Sequence, residues 1–182
     1  MKILKLIDIP KIVYHGTTTE HQLSLQNIRL DCGRKDLDFG QGFYTTSIRN
    51  QAIDWAKGKV WNGYKPMVLT YKVNFDIIES LEGIHFDDAG DNWVNFIYQH
   101  RMESYDVNKI NYDYVYGHTA DGKTSLLVED VKNGNKTFDD FRREIYPIEC
   151  KVFYYDQLFF RSELSITALE KINEEVFLNE IY

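Results

Sequence analysis

Two short runs carry residues whose types and spacing suit chemistry: Tyr14-His15-Gly16-Thr17 and, after a polar stretch, Phe39-Gly40-Gln41-Gly42-Phe43-Tyr44. A histidine at a strand end can hydrogen-bond sugar hydroxyls. The glycine beside it lets a ligand approach the main chain, and a tyrosine in a glycine-flanked turn offers a flat stacking face. Together they can grip a ribose and a planar heterocycle at once. That combination points to NAD as a substrate to be cut rather than as a hydride carrier. No Gly-x-Gly-x-x-Gly follows a predicted strand, and the lone Gly40-Gln41-Gly42 precedes one instead, which disfavours a dehydrogenase.

Breaking the nicotinamide–ribose bond passes through an oxocarbenium-like state, the charge problem that glycosidases face. A protein helps by orienting the ribose, holding the leaving ring flat and placing an oxygen near the developing positive charge. The late aromatic stretch Phe153 to Phe160, read as a strand, supplies the polar pair Asp156-Gln157. Gln157 is the candidate that fixes the sugar. Asp156 takes that place if the strand register shifts by one, because neighbouring strand residues face opposite ways. His15, Tyr44 and the late polar residue are expected to converge in one cleft.

These runs, with Asn27-Ile28-Arg29-Leu30 between them, resemble the catalytic domain of ADP-ribosyltransferases, in the histidine–tyrosine–glutamate branch of diphtheria-type toxins and poly(ADP-ribose) polymerases. A closer resemblance, to an uncharacterised bacterial family of that clan, rests on Asp38-Phe39-Gly40-x-Gly42-Phe43-Tyr44, Gln51-Ala52-x-x-Trp55-Ala56, Tyr116-Gly117-x-x-Ala120-Asp121 and Gln157-Leu158-x-Phe160. The matched stretches run from residue 13 to 170. The resemblance implies an α+β fold, a split β-sandwich with flanking helices, formed by residues 1–182 as a single domain. It implies that NAD is a consumed co-substrate and nicotinamide the leaving group. By the same resemblance His15 contacts the adenine-side ribose and Gly16 the carboxamide through its backbone. Thr17 assists there, Tyr44 stacks on nicotinamide between Phe43 and Thr45, Trp55 closes the opposite side, and Gln157 is the third triad member.

Two departures from that pattern matter. Ala52 stands where relatives carry a serine that binds the carboxamide. Gln157 stands where they carry glutamate, and an amide has no negative charge and cannot act as a base. Single transfer is therefore expected rather than chain elongation, with Glu149, Asp156 or Asp121 as candidates to activate the acceptor. The expected function is mono-ADP-ribosyl transfer to a protein or nucleic-acid acceptor, in a bacterial toxin or defence effector paired with an antitoxin or immunity protein. The alternatives are an NAD glycohydrolase, or a silent domain that binds NAD, ADP-ribose or a partner.

The elements that must position these residues follow from local pattern. Lys11 to His15 reads as a buried strand stopped by Gly16, and Thr17 to Thr19 as hydroxyls capping a helix that carries Leu23, Leu25 and Ile28. Arg29 to Leu37 reads as a loop and Gly42 to Thr46 as a second strand. Ser47 or Asn50 is expected to cap a helix whose apolar face is Ala52, Ile53, Trp55 and Ala56. Met67 to Phe75 and Tyr112 to Tyr116 read as strands, the latter broken at Gly117, and Asn92 to Met102 as a helix. Thr119 to Lys123 reads as a turn, Ser125 to Val128 as a strand or a helix start, and Asp139 to Tyr146 as a helix ended by Pro147. Ser165 to Phe177 is predicted helical from Ile166, Leu169, Ile172 and Val176. Helices are thus expected mainly early and at the end.

Composition sets the outer bounds. The 182 residues are 43% hydrophobic and 27% charged, as in ordinary globular domains, and the 13 Tyr and 11 Phe supply rings to line a pocket. A net charge of -7 argues against a broad basic surface tracking a nucleic-acid backbone and tilts the expected acceptor toward protein. Arg34-Lys35 is the likelier local contact if the target is nucleic acid. Cys32 and Cys150 fit neither zinc spacing nor a disulfide framework and read as reduced thiols of a cytoplasmic protein. His85, His100 and His118 form no metal pattern, so no metal is expected, and no stretch reads as a signal peptide or membrane anchor.

Overall fold

The computed structural model describes residues 9–23, 25, 27–31, 34–102, 111–120, 123–145 and 155–178. Asp121, Gly122, Glu149, Cys32, Cys150, Pro147 and the start of the stretch from Phe153 lie outside them.

The fold is α+β, built on two sheets. The first joins β1 (Ile12–Thr18), β3 (Pro66–Val73) and β7 (Leu169–Val176), antiparallel and in the order β1-β3-β7. The second joins β2 (Phe43–Thr45), β6 (Asp156–Phe160), β5 (Tyr114–His118) and β4 (Gly83–His85) in that spatial order, the β4–β5 pair being parallel. One bridge links the sheets. Tyr14 and Thr46 exchange both backbone hydrogen bonds, at 2.7 and 2.9 Å.

Strand alternation sorts the side chains into layers. Val13, Leu69, Tyr71, Phe43, Tyr114, Leu158 and Phe160 point between the sheets and form one core. Phe159 and Val115 point the other way, against Trp93, Val94 and Ile97 of α3 (Asp91–Arg101), Leu127 and Val128 of α4 (Thr124–Lys132) and Phe141 of α5 (Phe138–Glu144). On the outside of the first sheet, Ala52 and Ala56 of α1 (Arg49–Gly58) pack against Val68. α2 (Phe75–Ile78) and α6 (Glu163–Ile166) are single turns.

Several expected boundaries move. β1 does not stop at Gly16 but runs to Thr18, because Gly16 still pairs with Val68. The helix expected after it shrinks to a 3-10 turn at Thr19–His21 with no side-chain cap. α1 forms where expected, yet neither Ser47 nor Asn50 caps it. Its N-cap is Ile48, whose N–H donates to the Thr46 hydroxyl, while the Ser47 hydroxyl is engaged by Asp156. β5 passes through Gly117, and Ser125 to Val128 is helical. Among the described residues the α-helices lie between residues 49 and 166, most of them in the middle of the chain, rather than mainly early and at the end.

The largest correction concerns Ser165 to Phe177, which is α6 followed by β7 rather than one helix. Ser162 caps α6 through a capping box with Ser165, and the turn ends at Thr167. The helical spacing of Leu169, Ile172 and Val176 comes from a bulge. Tyr71 pairs with Lys171 and Thr70 with Asn173, so Ile172 is the extra residue that breaks the two-residue period.

Candidate functional site

His15 lies on β1 with its ring turned between the sheets. The imidazole stacks on Phe43, centroids 4.5 Å apart and planes 28° from parallel. Its Nδ1 is 2.7 Å from the Tyr44 carbonyl. A carbonyl only accepts, so Nδ1 carries the proton and Nε2 is left as an acceptor. Burial lowers the His15 pKa below the ordinary histidine value, outweighing the opposite effect of the carbonyl bond, and a smaller contribution from His21 lowers it further. The ring is thus a neutral, oriented acceptor near pH 7.

Gly16 follows with two properties. On the α1 side, an added Cβ would sit 2.0 Å from the Ala52 carbonyl oxygen, so only glycine lets β1 and α1 approach this closely. On the edge, antiparallel geometry fixes where its backbone points. The Lys11 carbonyl accepts from Val73 of β3, so alternate residues of β1 bond to β3, and Tyr14 and Gly16 aim their N–H and C=O groups the other way. Tyr14's groups are taken by Thr46. Those of Gly16 are directed past that bridge, where the two sheets part.

The expected convergence of three side chains is not what the strands produce. Phe43 and Tyr44 are neighbours on β2, so their side chains leave opposite faces. Phe43 carries His15, whereas Tyr44 faces the helical layer, its ring 4.7 Å from Phe159 and 6.5 Å from Phe39. The Tyr44 hydroxyl donates to the Gly40 carbonyl at 2.7 Å and accepts from the Phe39 N–H at 3.1 Å, pinning the glycine turn. Burial, reinforced by Asp38, holds its pKa well above the ordinary tyrosine value, so it remains a neutral donor.

Gln157 shares Tyr44's side of the sheet. Its amide donates to Asp38 at 3.1 Å and to the His118 carbonyl at 3.0 Å, and the residue is 6% exposed. Asp38 is the hub there. Its other oxygen accepts from Arg101 Nε and Nη2 at 2.8 and 2.6 Å, and Oδ2 also accepts from the Ala120 N–H. This buried ion pair ties the glycine turn to α3, to the exit of β5 and to β6.

Asp156, one residue earlier, faces the His15 side. Its Oδ1 accepts from the Thr46 hydroxyl at 2.7 Å and the Ser47 N–H at 2.8 Å, and its Oδ2 from the Ser47 hydroxyl at 2.6 Å and the Tyr116 hydroxyl at 3.0 Å. Gln51 completes the cluster: its amide donates to the Asp156 main-chain carbonyl and to the Thr119 hydroxyl, and its amide oxygen shares the Thr46 hydroxyl proton with the Asp156 carboxylate. Thr46 is also the residue bridged to Tyr14, so this carboxylate is anchored at the seam between the sheets, beside the strand bearing His15 and Gly16.

The remaining candidates are Thr17, Thr45 and Trp55. Thr17 is buried, two residues beyond His15 on the same face, and Thr45 donates its hydroxyl to the Leu158 carbonyl at 2.9 Å. Trp55 is not part of α1's buried face. It is 59% exposed, with the Lys59 ammonium 4.5 Å from its ring centroid. Sequence reasoning missed Arg101, Thr46, Ser47 and the hub role of Asp38. Gln51, Tyr116 and Asp38 did stand in the motifs, but nothing local told that Asp38 and Asp156 centre separate hydrogen-bond clusters on opposite faces, with Gln51 and Tyr116 in the second.

Among the described residues no group of three or more His, Cys, Asp or Glu is placed to hold a metal ion, and no helix is long and apolar enough to cross a membrane. Comparison with curated proteins and with solved structures gives no match to this chain. A family model described as "Protein of unknown function (DUF3990)" matches residues 11–171, every strand and helix above except the last residues of β7. The chain belongs to the DUF3990 family.

Proposed function

We propose that this protein is an NAD-dependent mono-ADP-ribosyltransferase whose reacting site is the seam between the two sheets. The observation that carries this reading is the backbone of Gly16, one donor and one acceptor aimed together past the Tyr14–Thr46 bridge. A primary carboxamide offers the complementary acceptor and donor, so nicotinamide can be held flat against main chain that has no side chain in the way. One neighbour fits the rest of the substrate: the free Nε2 of His15 accepts from a ribose hydroxyl. The resemblance to ADP-ribosyltransferases points the same way.

Within this reading Asp156 supplies the negative charge that Gln157 lacks. The bond from ribose C1′ to nicotinamide nitrogen breaks, and its electron pair leaves with nicotinamide. Positive charge grows on C1′ and the ring oxygen, and a carboxylate fixed by the Ser47 N–H, the Ser47 and Tyr116 hydroxyls and a shared Thr46 hydroxyl needs no reorganisation to meet it. The acceptor's nucleophile then bonds to C1′, and its proton passes to Asp156 or to water. Tyr44 and Gln157 act from the other face as positioning residues, through the Tyr44 carbonyl and the Asp38 hub.

The test is nicotinamide release from NAD by the purified protein, with and without a cell lysate as acceptor source. Release by the wild type that falls at least a hundredfold in both His15→Ala and Asp156→Asn, with folding retained, supports the reading. Intact NAD at high enzyme concentration, together with no NAD binding by calorimetry, overturns it.

A further inference from the structure

Residues 55–65, the last turn of α1 and the loop after it, differ from the rest of the surface. They carry Lys57, Lys59 and Lys65 and no acidic residue, in a chain whose net charge is -7. Among the described residues no carboxylate pairs with any of the three ammonium groups. The same eleven residues expose three large rings: Trp55 at 59%, Trp61 at 55% and Tyr64 at 36%.

These rings are held rather than loose. Asn62 and Gly63 both take left-handed backbone angles, φ 50° and 79°, and the Tyr64 N–H closes on the Trp61 carbonyl at 3.1 Å. That tight turn brings the two rings to 6.1 Å, 54° apart in plane. Trp61 also donates its indole N–H to Glu20 at 2.9 Å, which fixes the ring by its edge and leaves its surface outward. Thr19 and Lys65 exchange two further bonds, Thr19 N–H to the Lys65 carbonyl at 2.9 Å and Lys65 N–H to the Thr19 hydroxyl at 3.0 Å. The patch is thereby stapled to the end of β1, the strand that carries His15 and Gly16.

We infer that this patch docks single-stranded nucleic acid and that such a strand is the acceptor of ADP-ribose. Unpaired bases present flat faces that stack on tryptophan and tyrosine, while neighbouring lysines neutralise the phosphates between them. A duplex has its base faces covered. A protein partner is the poorer fit, since lysine is depleted where protein interfaces form and three lysines without a carboxylate partner would be desolvated. The acceptor role rests on the transferase reading above; the docking does not. The bond change is the one already described, with a nucleophilic nitrogen or oxygen of the strand replacing nicotinamide at C1′.

The experiment separates the two. Fluorescein-labelled oligo(dT) and oligo(U) of about twelve nucleotides are titrated by anisotropy against the whole protein without NAD. Expected is binding of at least one of them, with a log–log salt slope of about -2 for three single-strand phosphate contacts. Trp61→Ala is expected to weaken it about tenfold. Lys57→Glu with Lys59→Glu is expected to weaken it and flatten the slope. Both variants should keep the wild-type rate of nicotinamide release into water, since neither touches the seam. In lysate, label from radioactive NAD should be released by nuclease. No oligonucleotide binding by the wild type, binding undiminished in both variants, or label released by protease alone overturns the inference. Oligonucleotide binding by a wild type that leaves NAD intact sinks the transferase reading and the acceptor role while the docking stands.

Discussion

The imidazole of His15 is aimed by the main chain of Tyr44, whose own ring lies on the far side of the strand. Nδ1 donates to the Tyr44 carbonyl at 2.7 Å, while the Tyr44 hydroxyl is spent on Gly40 and Phe39. Tyr44→Phe should therefore leave the histidine's orientation intact and act on stability. It strands a buried carbonyl and N–H of the glycine turn, at a cost of about 1–3 kcal/mol. Urea denaturation should show a lower midpoint with an unchanged slope, and nicotinamide release per folded molecule should stay within a few-fold of wild type. A hundredfold loss of turnover at unchanged stability would place the phenol on the substrate instead.

Gly16 makes a sharper demand. A methyl group there meets the Ala52 carbonyl at 2.0 Å, and backbone on both sides leaves little room to yield. Gly16→Ala should push α1 off β1 and disturb the direction of the Gly16 N–H and C=O. Overpacking of this kind costs about 1–3 kcal/mol, and NAD binding measured by calorimetry should be lost even at temperatures where the variant is folded. Ala52→Gly, which removes a side chain but not the carbonyl, should not rescue it.

What was legible in the chain was what is local. The start of the strand bearing His15, the Phe43–Thr45 strand and the helix over residues 49–58 follow from runs of a few residues, although β1 runs three residues past its expected end at His15. What depends on distant pairing was not legible. Asp156 and Gln157 are adjacent in sequence, and only the pairing of Thr45 with Leu158 and Tyr44 with Phe159 decides which of them faces His15. β7 read as helix because its bulge at Ile172 counterfeits a helical period, and the strand exists through its ladder to β3. Trp55 read as part of the helix's apolar face because it stands among alanines. Those alanines face inward because they are small enough for Gly16 to pack against, which turns the larger ring outward.

Acid should destabilise the protein before its carboxylates titrate. Burial lowers the pKa of both His15 and His100; in His100, Nδ1 donates to the Phe96 carbonyl at 2.8 Å and Nε2 meets the Tyr112 hydroxyl at 2.7 Å. Unfolded histidines take up protons near pH 6.5, while these two resist. Below pH 6.5 the unfolded chain therefore binds more protons than the native one, and stability falls as pH falls, until the depressed native values are passed. The slope is at most about 1.4 kcal/mol per pH unit for each histidine. Urea midpoints between pH 7.5 and 5.5 should trace this decline, and His100→Asn should flatten it. A flat profile in the wild type would mean that neither ring is held neutral by the fold.

Gln157→Glu gives the strongest contrast between the two faces of β6. If Gln157 stood in the reacting cleft, the new carboxylate would restore a missing charge and raise turnover. In its actual surroundings the amide donates to Asp38 and to the His118 carbonyl, and a glutamate would set an oxygen against both acceptors. Asp38 already balances Arg101 in a site where both side chains are nearly buried. A second negative charge there is left uncompensated, at a cost on the order of 3–5 kcal/mol. The variant should thus lose most of its thermal stability and gain no nicotinamide release, the reverse of Asp156→Asn, which should keep the fold and lose the chemistry. A Gln157→Glu protein that melts like wild type and cleaves NAD faster would transfer the reaction to the helical side of the sheet, and the assignment of Asp156 would fall with it.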